Sequence, residues 1–195
     1  MRILHYFLGF PPTRSGGLTK YAIDLMQSQM QLGHDIASIH PGNPSLFSQK
    51  RDVVHLGIHH STGISSFRIN NALLVPLFHG IKNPKFFMTN SNRDLESFRV
   101  FFAKEHFDVI HVHTLMGLPI EFLLVAKENG IKIIYTSHDY FGQCLKVNFI
   151  GKNGCICEGP DAIKCANCNK NAKSTFFIWL RNSKILIFLK KLLKR

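Results

Sequence analysis

Twice along this chain a short apolar run breaks into a loop, an amphipathic stretch follows, a glycine closes it, and a second apolar run begins. Residues 2–8 are the first such run, and the loop Gly9-Phe-Pro-Pro-Thr-Arg-Ser-Gly-Gly17 interrupts it. From Leu18, helical spacing carries Tyr21, Leu25, Met26 and Leu32 to Gly33, and residues 35–40 form the next apolar run. The order recurs with residues 109–113, a helical stretch at 119–129 closed by Gly130, and an Ile-rich run at 132–137. Apolar runs of this length with a glycine at each helix C-terminus read as strand, loop, helix, strand. Right-handed crossovers then place the four strands parallel in one sheet, with ligands at their C-terminal edge. The expected fold class is α/β, a single domain with a parallel sheet and helices on both faces.

The middle of the chain is harder to parse. Pro44, Pro76 and Pro84, with clustered Gly, Asn and Ser, break up residues 41–90, leaving residues 53–58 and 73–77 as strand candidates. Helical spacing returns at residues 92–105 through Leu95, Phe98, Phe102 and Ala103, with Asn90 or Ser91 as the expected cap. A chain of 195 residues that is 45% hydrophobic and 18% charged suffices for one domain with a real core. Several of the 17 Phe fall outside any periodicity, which suggests buried loops or a contact surface.

The net charge of +12 is unevenly placed: no carboxylate follows Asp161, whereas nine of the 24 Lys and Arg do. The preceding fifteen bases face twelve acids, so the folded part is close to neutral. A nucleic-acid partner would call for basic residues spread over a folded face, and none is expected. The apolar N-terminus runs into Pro11-Pro12 without a small-residue cleavage site, and no run approaches the roughly 20 residues that span a bilayer. Five Cys, an odd number, point to reduced thiols or metal ligation in a cytoplasmic protein.

The residues that end the strands carry the chemistry. Gly16-Gly17 at the mouth of a helix leaves backbone N–H groups open to an anion, although a plain tight turn would look the same. His138 ends a strand directly before Asp139, where an imidazole can meet a hydroxyl or a developing charge, or be structural. His111 and His113 alternate with Val112 and share a strand face; a metal pair there lacks a third ligand nearby in sequence. Arg14 and Lys20 flank the glycine loop, as phosphate contacts or as solvated bases.

Met1-Arg-Ile-Leu-His, Gly9-Phe-Pro-Pro-Thr-Arg-Ser-Gly-Gly17, Gly33-His-Asp35, Phe107-Asp-Val-Ile-His-Val-His113 and Thr136-Ser-His-Asp-Tyr140 stand in a telling order. Together they resemble the N-terminal domain of family-4 retaining glycosyltransferases, enzymes of the GT-B fold in which two Rossmann-like domains face each other across a cleft. The resemblance implies a Rossmann-like acceptor-side domain over residues 1–141, with Gly16 and Gly17 at the donor diphosphate and His138 as the catalytic residue. His113, Lys20 and Asp139 are assigned to the acceptor side, Asp139 by orienting its loop, while His111 is structural. The implied reaction moves a hexose from a nucleoside-diphosphate sugar to a glycan or lipid-linked acceptor in polysaccharide biosynthesis, with no cofactor required for catalysis. The family's E-x7-E motif and second Rossmann unit have no counterpart in these residues. The expectation is therefore negligible transfer without a donor-binding domain, encoded separately or otherwise supplied.

Residues 142–173 form a Cys-rich loop in which Cys165-x-x-Cys168 has the two-residue gap of zinc knuckles. A subset of the family resembles this stretch: a Cys after His-Asp-Tyr-Phe, then Cys-x-Gly-Pro, then Cys-x-x-Cys. The match falls on Cys144, Cys157, Cys165 and Cys168 and leaves Cys155 spare, which implies structural zinc; buried thiols or an iron–sulfur cluster are the alternatives. Residues 174–195 read as a basic amphipathic helix with Ile178, Ile185, Leu189, Leu192 and Leu193 on one face. That helix would either lie on the inner face of the plasma membrane or pack on another domain. Two rival functions follow: a non-catalytic membrane-surface module that partners a donor domain, and a metal-binding structural protein.

Overall fold

A computed structural model of the chain describes residues 1–44, 50–83, 87 and 95–183. The expected strands are present as β1 (Arg2–Tyr6), β2 (Asp35–Pro41), β5 (Val109–Val112) and β6 (Lys132–Tyr135). Between β2 and β5 lie β3 (Val53–Ile58) and β4 (Ser65–Ile69). The helices are α1 (Gly17–Gln31), α2 (Leu95–Glu105), α3 (Ile120–Glu128), α4 (Ala162–Cys168) and α5 (Thr175–Asn182). One six-stranded sheet runs in the order β3-β4-β2-β1-β5-β6. Every pairing is parallel except β3 with β4, which is antiparallel with a bulge between His55 and Gly57. The sheet is thus Rossmann-like, with the four expected strands parallel and β3 added antiparallel at one edge. The short loop at residues 59–64 explains the exception: it returns the chain as a hairpin, and a parallel crossover needs a dozen residues or more.

Helices cover both faces. On one side Leu4, Tyr6, Ile39, Ile110 and Val112 meet Phe98, Phe101 and Phe102 of α2 and Phe122 and Val125 of α3. Phe67 and Phe107 complete an aromatic cluster with ring centroids 4.8 to 6.4 Å apart. Each such ring contributes about 1.5–3 kcal/mol by leaving water. On α2 the buried stripe is Phe98, Phe101 and Phe102, and Ala103 faces out.

On the other side Ile3, Phe7, Ile36 and Val109 pack against Leu18, Ala22, Ile23 and Met26 of α1. Of the expected α1 face, Met26 is fully buried, but Tyr21 and Leu32 are 45% and 75% exposed, and Thr19 and Ala22 turn inward instead. Gly33 (φ 83°) and Gly130 (φ 70°) adopt the left-handed backbone that ends α1 and α3.

Residues 73–77 are not a strand. Leu73, Leu74 and Val75 are buried, but their backbone is met by groups outside any sheet. The Leu73 N–H donates to the Gly117 carbonyl at 3.2 Å, and the Asn182 amide bonds both the N–H and C=O of Val75 at 3.4 and 3.2 Å. Asn182 belongs to α5, whose Ile178 is fully buried in a second core with Leu8, Leu74, Val75, Met116, Phe141 and Val147. That core lies beneath the loops at the C-terminal edge of the sheet. Ile178 is therefore spent on the chain's own interior. Ile185, Leu189, Leu192 and Leu193, like the helix-capping Asn90 and Ser91, lie outside the described residues. No helix among the described residues is long and apolar enough to cross a membrane.

Candidate functional site

The strand order reverses direction between β1 and β5, so the loops that leave those two strands open a crevice at the C-terminal edge. The loop after β1 delivers α1. Gly16 caps that helix at φ 120°, a conformation that L side chains rarely adopt, and no atom lies within 4 Å of where a Cβ on Gly16 or Gly17 would stand. The first intrahelical bond runs from Lys20 N–H to Gly16 O at 3.0 Å. The N–H groups of Gly17, Leu18 and Thr19 therefore have no intrahelical acceptor. Among the described residues no side chain caps them, and the first turn holds no acid, so the positive end of a 15-residue helix is left open.

A chain of imidazoles reaches this crevice from the interior. His5 on β1 and His113 just past β5 are both fully buried, and His5 Nδ1 lies 3.0 Å from His113 Nε2. His5 Nε2 lies 2.7 Å from Gln29 Oε1 on α1, and His113 Nδ1 lies 3.5 Å from His138 Nε2 in the loop after β6. With the Gln29 carbonyl accepting, the proton positions follow in order. His5 donates from Nε2 and accepts at Nδ1 from His113, which in turn accepts at its own Nδ1 from His138. His138, exposed at the mouth, is left with its Nδ1 lone pair free for the crevice.

Burial keeps the inner rings neutral. Desolvation, ahead of the opposing Gln29 hydrogen bond, lowers the His5 pKa to about 4. Desolvation and then the neighbouring histidines lower His113 to about 3. His111 stacks on His113 with centroids 4.3 Å apart and engages Thr136 Oγ1 at 2.8 Å. The ring nitrogens of His5, His111 and His113 lie within 4.8 Å of one another. A shared metal would have to lie in the plane of each ring, and the stacking of His111 on His113 sets those planes side by side.

The remaining assigned residues fall around this line. Asp139 accepts from Thr114 Oγ1 at 2.8 Å and from the Phe141 N–H at 2.9 Å, so both carboxylate oxygens serve to hold its turn. Lys20 pairs with Asp24 at 2.9 Å on the solvent side of α1. His113 has no exposed surface and reaches the crevice through His138 and the Tyr21 ring, which meets it edge-on with centroids 5.9 Å apart. Arg14 turns inward, 3.3 Å from Asn182 Oδ1, and burial followed by Arg181 lowers its pKa. Sequence reasoning passed over Tyr21, whose ring meets His138 edge-on at 4.7 Å and joins the glycine end of α1 to the imidazole chain. It also passed over His5 and Gln29. The one available signal was a lone polar ring in the apolar run of β1.

Cys144, Cys157, Cys165 and Cys168 all line one cavity of about 310 Å³, and exposed Cys155 stands outside it.

Residues 15–150 match the family described as Glycosyltransferase Family 4, a span that holds Gly16, Gly17, Lys20, His113, His138 and Asp139. Among solved structures the chain is similar to the catalytic domain of starch synthase IV from Arabidopsis thaliana bound to ADP and acarbose. The identity is 16% over 72% of this chain and 34% of that one, with a TM-score of 0.38. The chain thus spans about a third of that structure's length. No match was found among curated protein sequences.

Proposed function

The chain belongs to glycosyltransferase family 4, and on that premise we propose that it forms the acceptor-side domain of a retaining hexosyltransferase. The donor is a nucleoside-diphosphate sugar carried by a second domain, and the acceptor is a glycan or lipid-linked sugar. In this reading the donor-binding domain faces this one across the crevice.

The observation that carries this reading is the convergence of two different groups at one crevice. The uncapped N-terminus of α1 suits a diphosphate, and the imidazole chain ends in an acceptor nitrogen on His138. With His138 Nε2 turned toward His113, its Nδ1 accepts a hydrogen bond from a sugar hydroxyl. Tyr21 spaces this nitrogen from the glycine end of the helix. In the reaction the anomeric carbon loses the diphosphate oxygen and gains the acceptor oxygen on the same face, and the acceptor hydroxyl's proton leaves with the departing diphosphate. The helix N–H groups stabilise the charge that accumulates on the departing phosphate.

Titration with inorganic pyrophosphate, followed by amide NMR of the full chain, tests the anion site. The resonances of Gly17, Leu18 and Thr19 should move together and saturably. Shifts confined to the Lys-rich residues after 161, or none at all, would contradict it.

A further inference from the structure

Residues 142–173 raise a physical question that the transferase reading does not touch. Val147 is the only buried residue among these 32, and α4 buries none of its side chains. A segment with so little apolar burial cannot offset the entropy of ordering its backbone. Yet its local structure is definite. Asp161 caps α4 by accepting from the Lys164 N–H at 2.7 Å, and Ile150 pairs with Ile156 in an antiparallel bridge. Asn169 clamps both backbone groups of Ile81 at 3.2 and 2.8 Å. Something other than a core must organise the loop.

Its centre is the 310 Å³ cavity, which Cys144, Cys157, Cys165 and Cys168 line from three separate pieces of chain. Cys144 comes from the turn after Tyr140, Cys157 follows the antiparallel bridge, and Cys165 and Cys168 stand one turn apart on the same side of α4. The Asp161 N–H already points at Cys165 Sγ, 3.5 Å away. Lys146, Lys152 and Lys164 line the same cavity. We propose that Cys144, Cys157, Cys165 and Cys168 bind one zinc ion and that this site holds the loop in its fold. Four ligands fill a tetrahedral shell and leave no open position, so the ion is structural and takes no part in transfer. The four thiols give up four protons on binding, and the resulting centre carries a net charge of two minus. The three lysines are opposite in sign to that charge. Closure to zinc–sulfur distances of about 2.3 Å draws the sulfurs inward from the cavity wall. Among the described residues the three donors already within 4.8 Å of one another are the histidines.

The test uses the full chain purified under reducing, anaerobic conditions. Elemental analysis should find about one zinc per chain, and replacement by Co²⁺ should give the intense visible bands of a tetrahedral thiolate site. Cys155→Ser should keep both signals, whereas Cys165→Ser and Cys168→Ser should each lower zinc affinity at least tenfold. Because those two variants can also misfold, limited proteolysis of the wild-type chain with and without chelator supplies a second reading. Chelation should expose residues 142–173 to cleavage while residues 1–141 stay protected. A folded wild-type chain that contains no zinc and takes up no cobalt overturns the proposal. So does iron with acid-labile sulfide, or a Cys155→Ser variant as impaired as Cys165→Ser. None of these outcomes depends on sugar transfer.

Discussion

His5 Nδ1 and His113 Nε2 lie 3.0 Å apart between neighbouring strands, their rings within 13° of parallel and neither in contact with solvent. Two buried imidazoles at that distance share one proton between them, and a second would have no acceptor. Both must stay neutral for the fold to persist, which ties stability to pH.

The direction of that dependence follows from the lowered pKa values. An unfolded chain takes up protons on histidine below pH 6.5, whereas folded His5 does so only near 4 and His113 near 3. The stabilisation is complete above pH 6.5 and is lost progressively as pH falls from 6.5 through 4 toward 3. His5 alone accounts for a loss on the order of 3 kcal/mol, at 1.36 kcal/mol for each pH unit. Urea unfolding at pH 7.5 and 4.5 checks this, and His5→Gln should flatten the difference. Equal stability of the wild-type chain at the two values would contradict it.

The same hydrogen-bond order assigns tautomers. At pH 8 the ¹⁵N shifts of His5, His113 and His138 should all report a proton on Nε2 and none on Nδ1. Gln29→Leu removes the terminal acceptor and should destabilise the chain by about 1–3 kcal/mol. A His138 protonated at Nδ1 would reverse the hydrogen-bond order and the role assigned to that nitrogen.

Elements with strong periodicity were legible in the sequence: β1, β2, β5, β6 and the helices between them. What stayed hidden depended on distant partners. β4 reads Ser-Ser-Phe-Arg-Ile and resembles a loop until β2 and β3 pair with it on either side. Residues 73–77 look like a strand, but their hydrogen bonds go to Gly117 and to Asn182, 107 residues away from Val75. His138 and the glycine pair were visible because strand ends and helix starts mark them locally. His5 was not, since its meaning comes from the register that sets it opposite His111 and beside His113. Tyr21 was misassigned because its spacing with Leu25 and Met26 mimics a buried stripe, whereas α1 turns Thr19 and Ala22 inward beside Met26.

Asn182 offers a sharp test of the second core. Its amide bonds Val75 N–H and C=O, the Ile178 carbonyl and Arg14 while only 8% exposed. Asn182→Leu fills similar space but leaves the Val75 groups unpaired, a cost of about 2–4 kcal/mol. Thermal unfolding would register it as a large drop in Tm, and an unchanged Tm would contradict the clamp.

Gly80 tests how the Cys-rich loop is docked. At φ 77° an added Cβ would stand 2.4 Å from Asn169 Oδ1 and 2.7 Å from the Ala172 Cβ. Gly80→Ala should destabilise by about 1–3 kcal/mol through backbone strain and displacement of Asn169. Hydrogen exchange should rise in residues 161–173 and stay constant in β1 and β5. Uniform exchange throughout would show that the contact does not position the loop.

The central claim is that this chain supplies the His138 side of a transferase crevice, and one rate comparison addresses it. The full chain, combined with a family-4 donor-binding domain in cis or in trans, should transfer sugar, and the isolated chain should do so negligibly. In the combined enzyme His138→Ala should lower the rate by roughly a hundredfold or more, the scale of losing one preorganised polar group, with the circular dichroism spectrum unchanged. Full activity of that variant would contradict the account of the site.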